Sequence, residues 1–442
     1  MAVAPIHEIL CNHHFQEVVN HLNYRPEDAR ILNLAKQTPL AVLVKMITCG
    51  AVGIALSKGI RKYVVGVQGA FDALLKAFPR GVANVDKYGD TALIIACRNG
   101  NMRSIDFIME CGYQGKILHW ISDRMIGAYP TAASIPDQFG TLPIHIADIG
   151  GGSMEIIKML ARANPASLAG CQSPILYMAG LGPLGGKIHW DRVKTILDIN
   201  PSAALAEDRI MGHTTNPIKT LWSKIERRYV DDLERVGAPR WMSFSLKDDD
   251  ICNIAIKMTM ANERFFFKAK NLLLLLLKAA YHGTTEDELP EGTTFLPVHA
   301  ATGLFVPEKV IQILAYLYPR HLSQTDNENG WTPLHVAVAE PWHSRGYKEI
   351  NYSIGIKTIT AQCPGVAQMV DKKGRLPIHL ALESGISWES GIDVLFSAAP
   401  NTLTLTSGQS RLCPFQEAAV STRTDLNTVY SLLVNNPAAV HC

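Results

Sequence analysis

Charge is scarce in this chain of 442 residues, at 19% Asp, Glu, Lys and Arg, and it nearly cancels to +2. Such a balance supplies no basic field for a polyanion, and no acidic run marks an interaction tail, so no nucleic-acid partner is expected. No Cys-x-x-Cys pair occurs. Nine cysteines at scattered spacings fit reduced thiols inside a cell better than a disulfide framework or a zinc site. The N-terminus lacks a basic flank followed by an apolar core and a small-residue cleavage site, so no secretory signal is read and a cytoplasmic location is expected. No apolar run reaches the roughly 20 residues of a membrane-spanning helix. Ala41 to Leu56 is interrupted by Lys45, and Leu272 to Leu277 follows Lys268 and Lys270, so both read as buried helices and no membrane insertion is expected.

The signatures of catalysis are missing as well. There is no nucleophile elbow, kinase signature, His-Glu-x-x-His or dinucleotide fingerprint. Gly180 to Lys187 resembles a phosphate loop, but its first glycine is out of register and Ile188 stands where a magnesium-binding hydroxyl would follow. It reads as a loop between helices. No catalytic residue, cofactor or metal is expected. His13-His14 reads as a surface pair, and Asp248 to Asp250 as a solvated loop.

What the chain does have is a recurring stretch. Its best copy is Gly330-Trp-Thr-Pro-Leu-His-Val-Ala337, followed in quality by Gly140-Thr-Leu-Pro-Ile-His-Ile-Ala147, Gly374-Arg-Leu-Pro-Ile-His-Leu-Ala381 and Thr294-Phe-Leu-Pro-Val-His-Ala-Ala301. Gly89-Asp-Thr-Ala-Leu-Ile-Ile-Ala96 is more degenerate. Each position has a local reason. The glycine permits a tight turn at positive φ, Thr can cap a helix, and Pro fits the first helical turn, where no backbone donor is needed. Leu334 and Ala337 then share one helical face, and the small alanine lets a second helix come close.

A second mark sets the rhythm. Pro26, Pro79, Pro130, Pro319, Pro364 and Pro400 lie 13 or 14 residues before Pro39, Ala92, Pro143, Pro333, Pro377 and Pro414. Each ends a helical run, which proline cannot continue. Asp-x-x-Gly turns at Asp86, Asp137 and Asp371 join stop to start, with the carboxylate able to hold the turn.

In chain order, residues 1–37 contribute one amphipathic capping helix over 6–25. Residues 38–221 hold modules that are partly degenerate around 50–65, 101–114, Pro174 and Pro217. Residues 222–270 break the period and read as a protruding insertion, and 271–442 return to the rhythm. Every periodic segment has helical spacing, which predicts an all-α, helical-hairpin repeat solenoid with insertions and little or no sheet.

These residues resemble the ankyrin repeat family, whose module of about 33 residues carries Thr-Pro-Leu-His-x-Ala between a turn and two antiparallel helices. The likeness is similar to that of irregular algal and protist arrays and covers roughly residues 38–440. Pro143 and His145, Pro297 and His299, Pro333 and His335, and Pro377 and His379 take the signature's Pro and His places. Leu142, Leu296 and Leu376 depart from its Thr, so those histidines must lean on backbone groups. The resemblance implies a non-catalytic protein-binding scaffold or adaptor, expected as a monomer with another protein as its partner. Its tip positions after the turn glycines, Asp90, Thr141, Trp331 and Arg375, with Lys372 and Lys373 beside them, are the expected partner-binding residues. The alternative is an enzyme, or an adaptor for one, with its chemistry in 222–270. That segment is short for a catalytic domain and has no paired acid and base or metal-ligand spacing.

Overall fold

The structure, a computed structural model, describes residues 5–48, 60–99, 114–149, 154–165, 168, 175, 189–210, 213–235, 246–286, 289, 293–304, 306–339 and 352–437. The regular elements among these residues are helices apart from one antiparallel ribbon, in which Asp208–Ile210 pairs with His213–Thr215. The chain divides into two compact units, Met1–Thr215 and Asn216–Cys442. No helix among the described residues is long and apolar enough to cross a membrane.

The first unit carries α1 (Pro5–Cys11), α2 (Phe15–Tyr24), α3 (Pro39–Thr48), α4 (Ile60–Ala77), α5 (Ala92–Asn99), α6 (Gln114–Ala128), α7 (Pro143–Ile149), α8 (Met154–Ala163) and α9 (Trp190–Ile199). The second carries α10 (Pro217–Arg235), α11 (Asp248–Thr259), α12 (Arg264–His282), α13 (Pro297–Gly303), α14 (Glu308–Leu317), α15 (Pro333–Val338) and α16 (Tyr352–Gln362). It closes with α17 (Pro377–Glu383), α18 (Asp393–Ala398), α19 (Pro414–Val420) and α20 (Leu426–Asn435). Pro39, Pro143, Pro217, Pro297, Pro333, Pro377 and Pro414 all stand at the first residue of a helix, where the ring presets φ and costs no hydrogen bond.

The expected proline stops become one recurring corner. Pro26–Arg30, Pro79–Ala83, Pro130–Ser134, Pro201–Leu205, Pro319–Leu322, Pro364–Gln368 and Pro400–Thr404 are each a single 3₁₀ turn. The residue before the proline is pushed out of the helical region, as its ring demands: Phe78, Tyr129, Cys363 and Ala399 have φ between −144° and −150° and ψ between 74° and 79°.

Between corners, a short helix packs against a longer amphipathic one. Helix α8 buries Ile156, Ile157, Leu160 and Ala161, and α14 buries Val310, Ile311, Ile313, Leu314 and Ala315. The Leu272–Leu277 run lies in α12, which buries Leu272, Leu273, Leu276 and Leu277; each buried leucine contributes about 1.5–3 kcal/mol. The small positions Ala147 and Ala381 are almost fully buried.

Three expectations are corrected. The single helix over 6–25 is two helices, α1 and α2, packed on each other and broken at His13, whose φ is 58°. The described residues of the 222–270 stretch, 222–235 and 246–270, do not protrude: α10 runs across position 222 and packs on α12, while α11 packs on α12 and α14 through Ile251, Ile254, Ala255 and Met258. The rhythm breaks there because these helices are longer, at 19, 12 and 19 residues. The aspartates Asp248 to Asp250 form the first turn of α11 and are not a loop. Negative charge suits a helix start, and Asp250 accepts the backbone N–H of Lys247 at 2.9 Å. The degenerate stretch at 101–113 and the loop at Gly180–Lys187 lie outside the described residues.

The turn glycines Gly89, Gly140, Gly330 and Gly374 have φ between +70° and +82°. At Gly89 a Cβ would also meet Gln138 Cβ at 2.7 Å and its backbone nitrogen at 2.9 Å, whereas at Gly283, with φ +70°, it would meet nothing within 4 Å. Gly283→Ala is therefore expected to lose only the roughly 1–2 kcal/mol of left-handed backbone strain, and Gly89→Ala clearly more. Urea unfolding of the two variants checks this, and equal losses would show that turn contact carries nothing.

Candidate binding surface

The Asp-x-x-Gly turns are built by the carboxylate's first oxygen. Asp86 Oδ1 accepts the N–H groups of Tyr88 (2.8 Å) and Asp90 (3.0 Å), Asp137 Oδ1 those of Phe139 and Thr141 (both 2.9 Å), and Asp371 Oδ1 those of Lys373 and Arg375 (both 2.9 Å). The longer turn at Asp326 does the same with Asn329 (2.7 Å) and Trp331 (3.3 Å). Two further turns escaped the sequence pattern because other residues take the aspartate's part. Asn33 Oδ1 accepts from Ala35 and Gln37 with Lys36 at φ 58°, and Ser407 Oγ accepts from Gln409 and Ser410 with Arg411 at φ 60°.

The second carboxylate oxygen reaches backward along the chain. Gln37 Nε2 donates to Asp86 Oδ2 at 2.9 Å, Arg98 to Asp137 Oδ2 at 2.9 Å, and the Trp331 indole N–H to Asp371 Oδ2 at 3.3 Å. Backbone bonds add rungs between successive turns: the Lys87 N–H donates to the Ala35 carbonyl (3.0 Å), Lys372 to Asn329 (3.0 Å) and Gly408 to Gly374 (2.8 Å).

The histidines lean on backbone as expected. The N–H groups of Leu142, Thr332 and Leu376 donate to Nδ1 of His145 (3.3 Å), His335 (3.3 Å) and His379 (3.1 Å), and Thr332 Oγ1 adds a 2.9 Å contact to His335. The other ring nitrogen faces the next turn. Nε2 of His299 donates to the Trp331 carbonyl (3.0 Å), that of His335 to Arg375 (3.1 Å) and that of His379 to Leu405 (3.2 Å). Where histidine is absent, a plain cap replaces it: Thr38 Oγ1 accepts from Ala41, Thr91 Oγ1 from Ile94, and Gln416 Oε1 accepts the Cys413 N–H.

No family model matches the chain, and no curated protein matches it.

Of the expected partner-binding residues, only Lys372 and Lys373 lie exposed at a turn tip. Asp90 (8% exposed) and Arg375 (7%) are buried, and Thr141 and Trp331 are half-buried. The residue after the glycine pairs its own backbone with the aspartate, as Arg375 does through its carbonyl to the Asp371 N–H at 2.9 Å, and its side chain turns inward. Asp90 pairs with Arg98 at 2.9 Å, and burial, opposed by Arg98, holds its carboxyl above the usual range. Arg375 bonds Asp371 at 2.8 Å and Glu383 at 2.7 Å. Burial pushes the Asp371 carboxyl up, but the hydrogen bonds and charge of Arg375 outweigh it and leave its pKa below the usual value. The exposed tip lies two residues after the aspartate instead, at Tyr88 (51% exposed) and Phe139 (73%), with Leu34 open on the preceding turn. Among the described residues no group of three or more His, Cys, Asp or Glu is placed to hold a metal.

Arg375→Met is expected to leave the buried Asp371 carboxylate uncompensated and to cost about 3–5 kcal/mol. Trp331→Phe, which removes only the indole donor, should cost about 0.5–1.5 kcal/mol. Chemical denaturation measures both, and unchanged midpoints would return these residues to the free surface.

Acid should also loosen the structure. Burial lowers the pKa of His299 and His379 to about 4 and lowers that of His335, from 6.5. The unfolded chain thus takes up these protons first, so the stabilisation is complete above pH 6.5 and falls as pH drops toward 4. Each fully shifted histidine accounts for on the order of 3 kcal/mol. Unfolding free energies at pH 7, 6 and 5, above most carboxylate titration, should decline stepwise, with a shallower slope for His379→Gln. A flat profile would contradict the neutral buried rings.

Proposed function

We propose that the chain is an ankyrin-type repeat array, with inserted and lengthened helices, that serves as a non-catalytic protein-binding scaffold or adaptor. The observation that carries this reading is the recurrence of one cycle of turn, short helix, longer helix and 3₁₀ corner, tied forward by a histidine and backward by an aspartate. Repeats of this kind support their neighbours and leave the loops free to vary, which suits recognition more than chemistry. The tips that vary are Leu34, Lys87-Tyr88, Gln138-Phe139, Lys372-Lys373 and Gln409-Ser410, all exposed.

Large apolar side chains held outward on a rigid turn are ready to anchor a partner, because aromatic residues carry much of the binding energy at interfaces. The partner is another protein, met by a monomer in the cytoplasm; the thiols of Cys97 and Cys413 are free and buried, in keeping with a reducing compartment. The alternative places enzymatic chemistry in 222–270, where the described helix α11 turns Ile251, Ile254, Ala255 and Met258 to packing.

The test is comparative affinity capture, with Tyr88→Ser and Phe139→Ser as bait beside the parent chain. Both side chains project from the turns, so melting should hardly move, while binding of the main captured protein weakens by about 1 kcal/mol or more per substitution. Undiminished capture by the double variant would place the interface elsewhere.

A further inference from the structure

His299 breaks the rule that the other histidines follow. Its Nε2 gives a hydrogen to the Trp331 carbonyl, so in the neutral ring Nδ1 is a bare acceptor. In the sister positions that acceptor takes the N–H of the residue before the proline. Here Leu296, with φ −112° and ψ 96° against −78° and 159° at Leu376, is turned away, and His299 Nδ1 has no partner although the residue is only 1% exposed.

His299 lines a cavity of about 1010 Å³ within the second unit, bounded also by Tyr281, His282, Thr294, Asp326 and Glu328. Ligand sites typically enclose roughly 300–1,000 Å³, so a short peptide segment fits. A second imidazole nitrogen, Nε2 of His282, is also buried without a partner. The wall carries more negative than positive charge, with Asp326, Glu328 and Asp371 against Lys372. Asp326 Oδ1 is taken up by its turn, but among the described residues neither Asp326 nor Glu328 makes an ion pair, while Asp371 is already matched by Arg375. The one lysine on the rim, Lys372, rests its ammonium on the Asn327 carbonyl at 2.6 Å. Both free carboxylates lie close enough to Tyr281 to add to the effect of burial, which together bring its hydroxyl to about 12. It stays a neutral donor and acceptor beside them.

We infer that this cavity seats an arginine side chain of a partner polypeptide, an inference that rests on the protein-binding reading. A guanidinium carries five N–H donors in one plane and a charge that cannot be lost. It therefore answers the His299 acceptor and two carboxylates without an ion-pair partner at once, and its plane can stack on the faces of Tyr281 and His282.

Immobilised random heptapeptides whose central residue is fixed as Arg, citrulline, Lys or Gln test this with the full chain. Arginine peptides should retain the protein, lysine peptides less, and citrulline and glutamine peptides not at all. Glu328 is exposed and bonds to no other side chain, so Glu328→Gln should keep its melting temperature and weaken retention by about tenfold, the loss of one charge-assisted contact. Equal retention on citrulline, no retention on arginine, or indifference to Glu328→Gln would each overturn the inference. If that happens while capture still depends on Tyr88 and Phe139, the scaffold reading stands and this site alone fails; loss of both results removes the two together.

Discussion

One neutral imidazole, held between its own helix start and the next turn, is the interaction on which the rest depends. Its Nδ1 must be bare to receive a backbone N–H, and its Nε2 must carry a hydrogen to reach the carbonyl of the following turn. The two partners fix the tautomer without any charge. Burial, which disfavours the charged ring, is the main cause of the lowered pKa, and a proton added at Nδ1 would also set donor against donor at His335 and His379.

Helices of six to ten residues cannot persist alone in water. Helices α15 and α17 are six and seven residues long, and they hold because proline starts them, a cap closes them and a neighbour covers them. In α13, α15 and α17 the histidine links the short helix to the turn ahead, and at Asp86, Asp137 and Asp371 the aspartate links its turn to the segment behind. A cycle so connected has two bonds that its own residues cannot complete. The fold is thus built of pieces that are individually incomplete.

What could be read from the sequence was whatever obeys local rules. Proline at the helix start, glycine at positive φ and proline beyond a helix end act within a few residues, so the helix starts at Pro143, Pro333 and Pro377 and the corners at Pro79 and Pro364 were legible. Side-chain direction was not. Whether the residue after the glycine points out or in depends on the hydrogen bonds of the turn, and Arg375 turned inward because Asp371 and Glu383 were there to receive it. The tip therefore shifted by two positions, to Tyr88 and Phe139. Asn33 and Ser407 stayed hidden because their chemistry matches aspartate while their letters do not. The length of α10 and the whole of α11 were hidden because no proline corner punctuates 222–270, although the Leu272–Leu277 run of α12 already read as a buried helix. The odd position of His299 is visible only in the backbone angles of Leu296.

The backward bond to the aspartate has a property that bears on how such chains change over generations. Its acceptor is always the same oxygen, but its donor is an amide at Gln37, a guanidinium at Arg98 and an indole at Trp331. The junction asks only for an N–H at the right place, not for a particular side chain. A segment copied, deleted or exchanged at a turn would find a usable donor upstream from many ancestries. Exchange of one donor for another at these seams is chemically lenient, so the residues upstream of each turn can differ widely while the bond to the aspartate is kept.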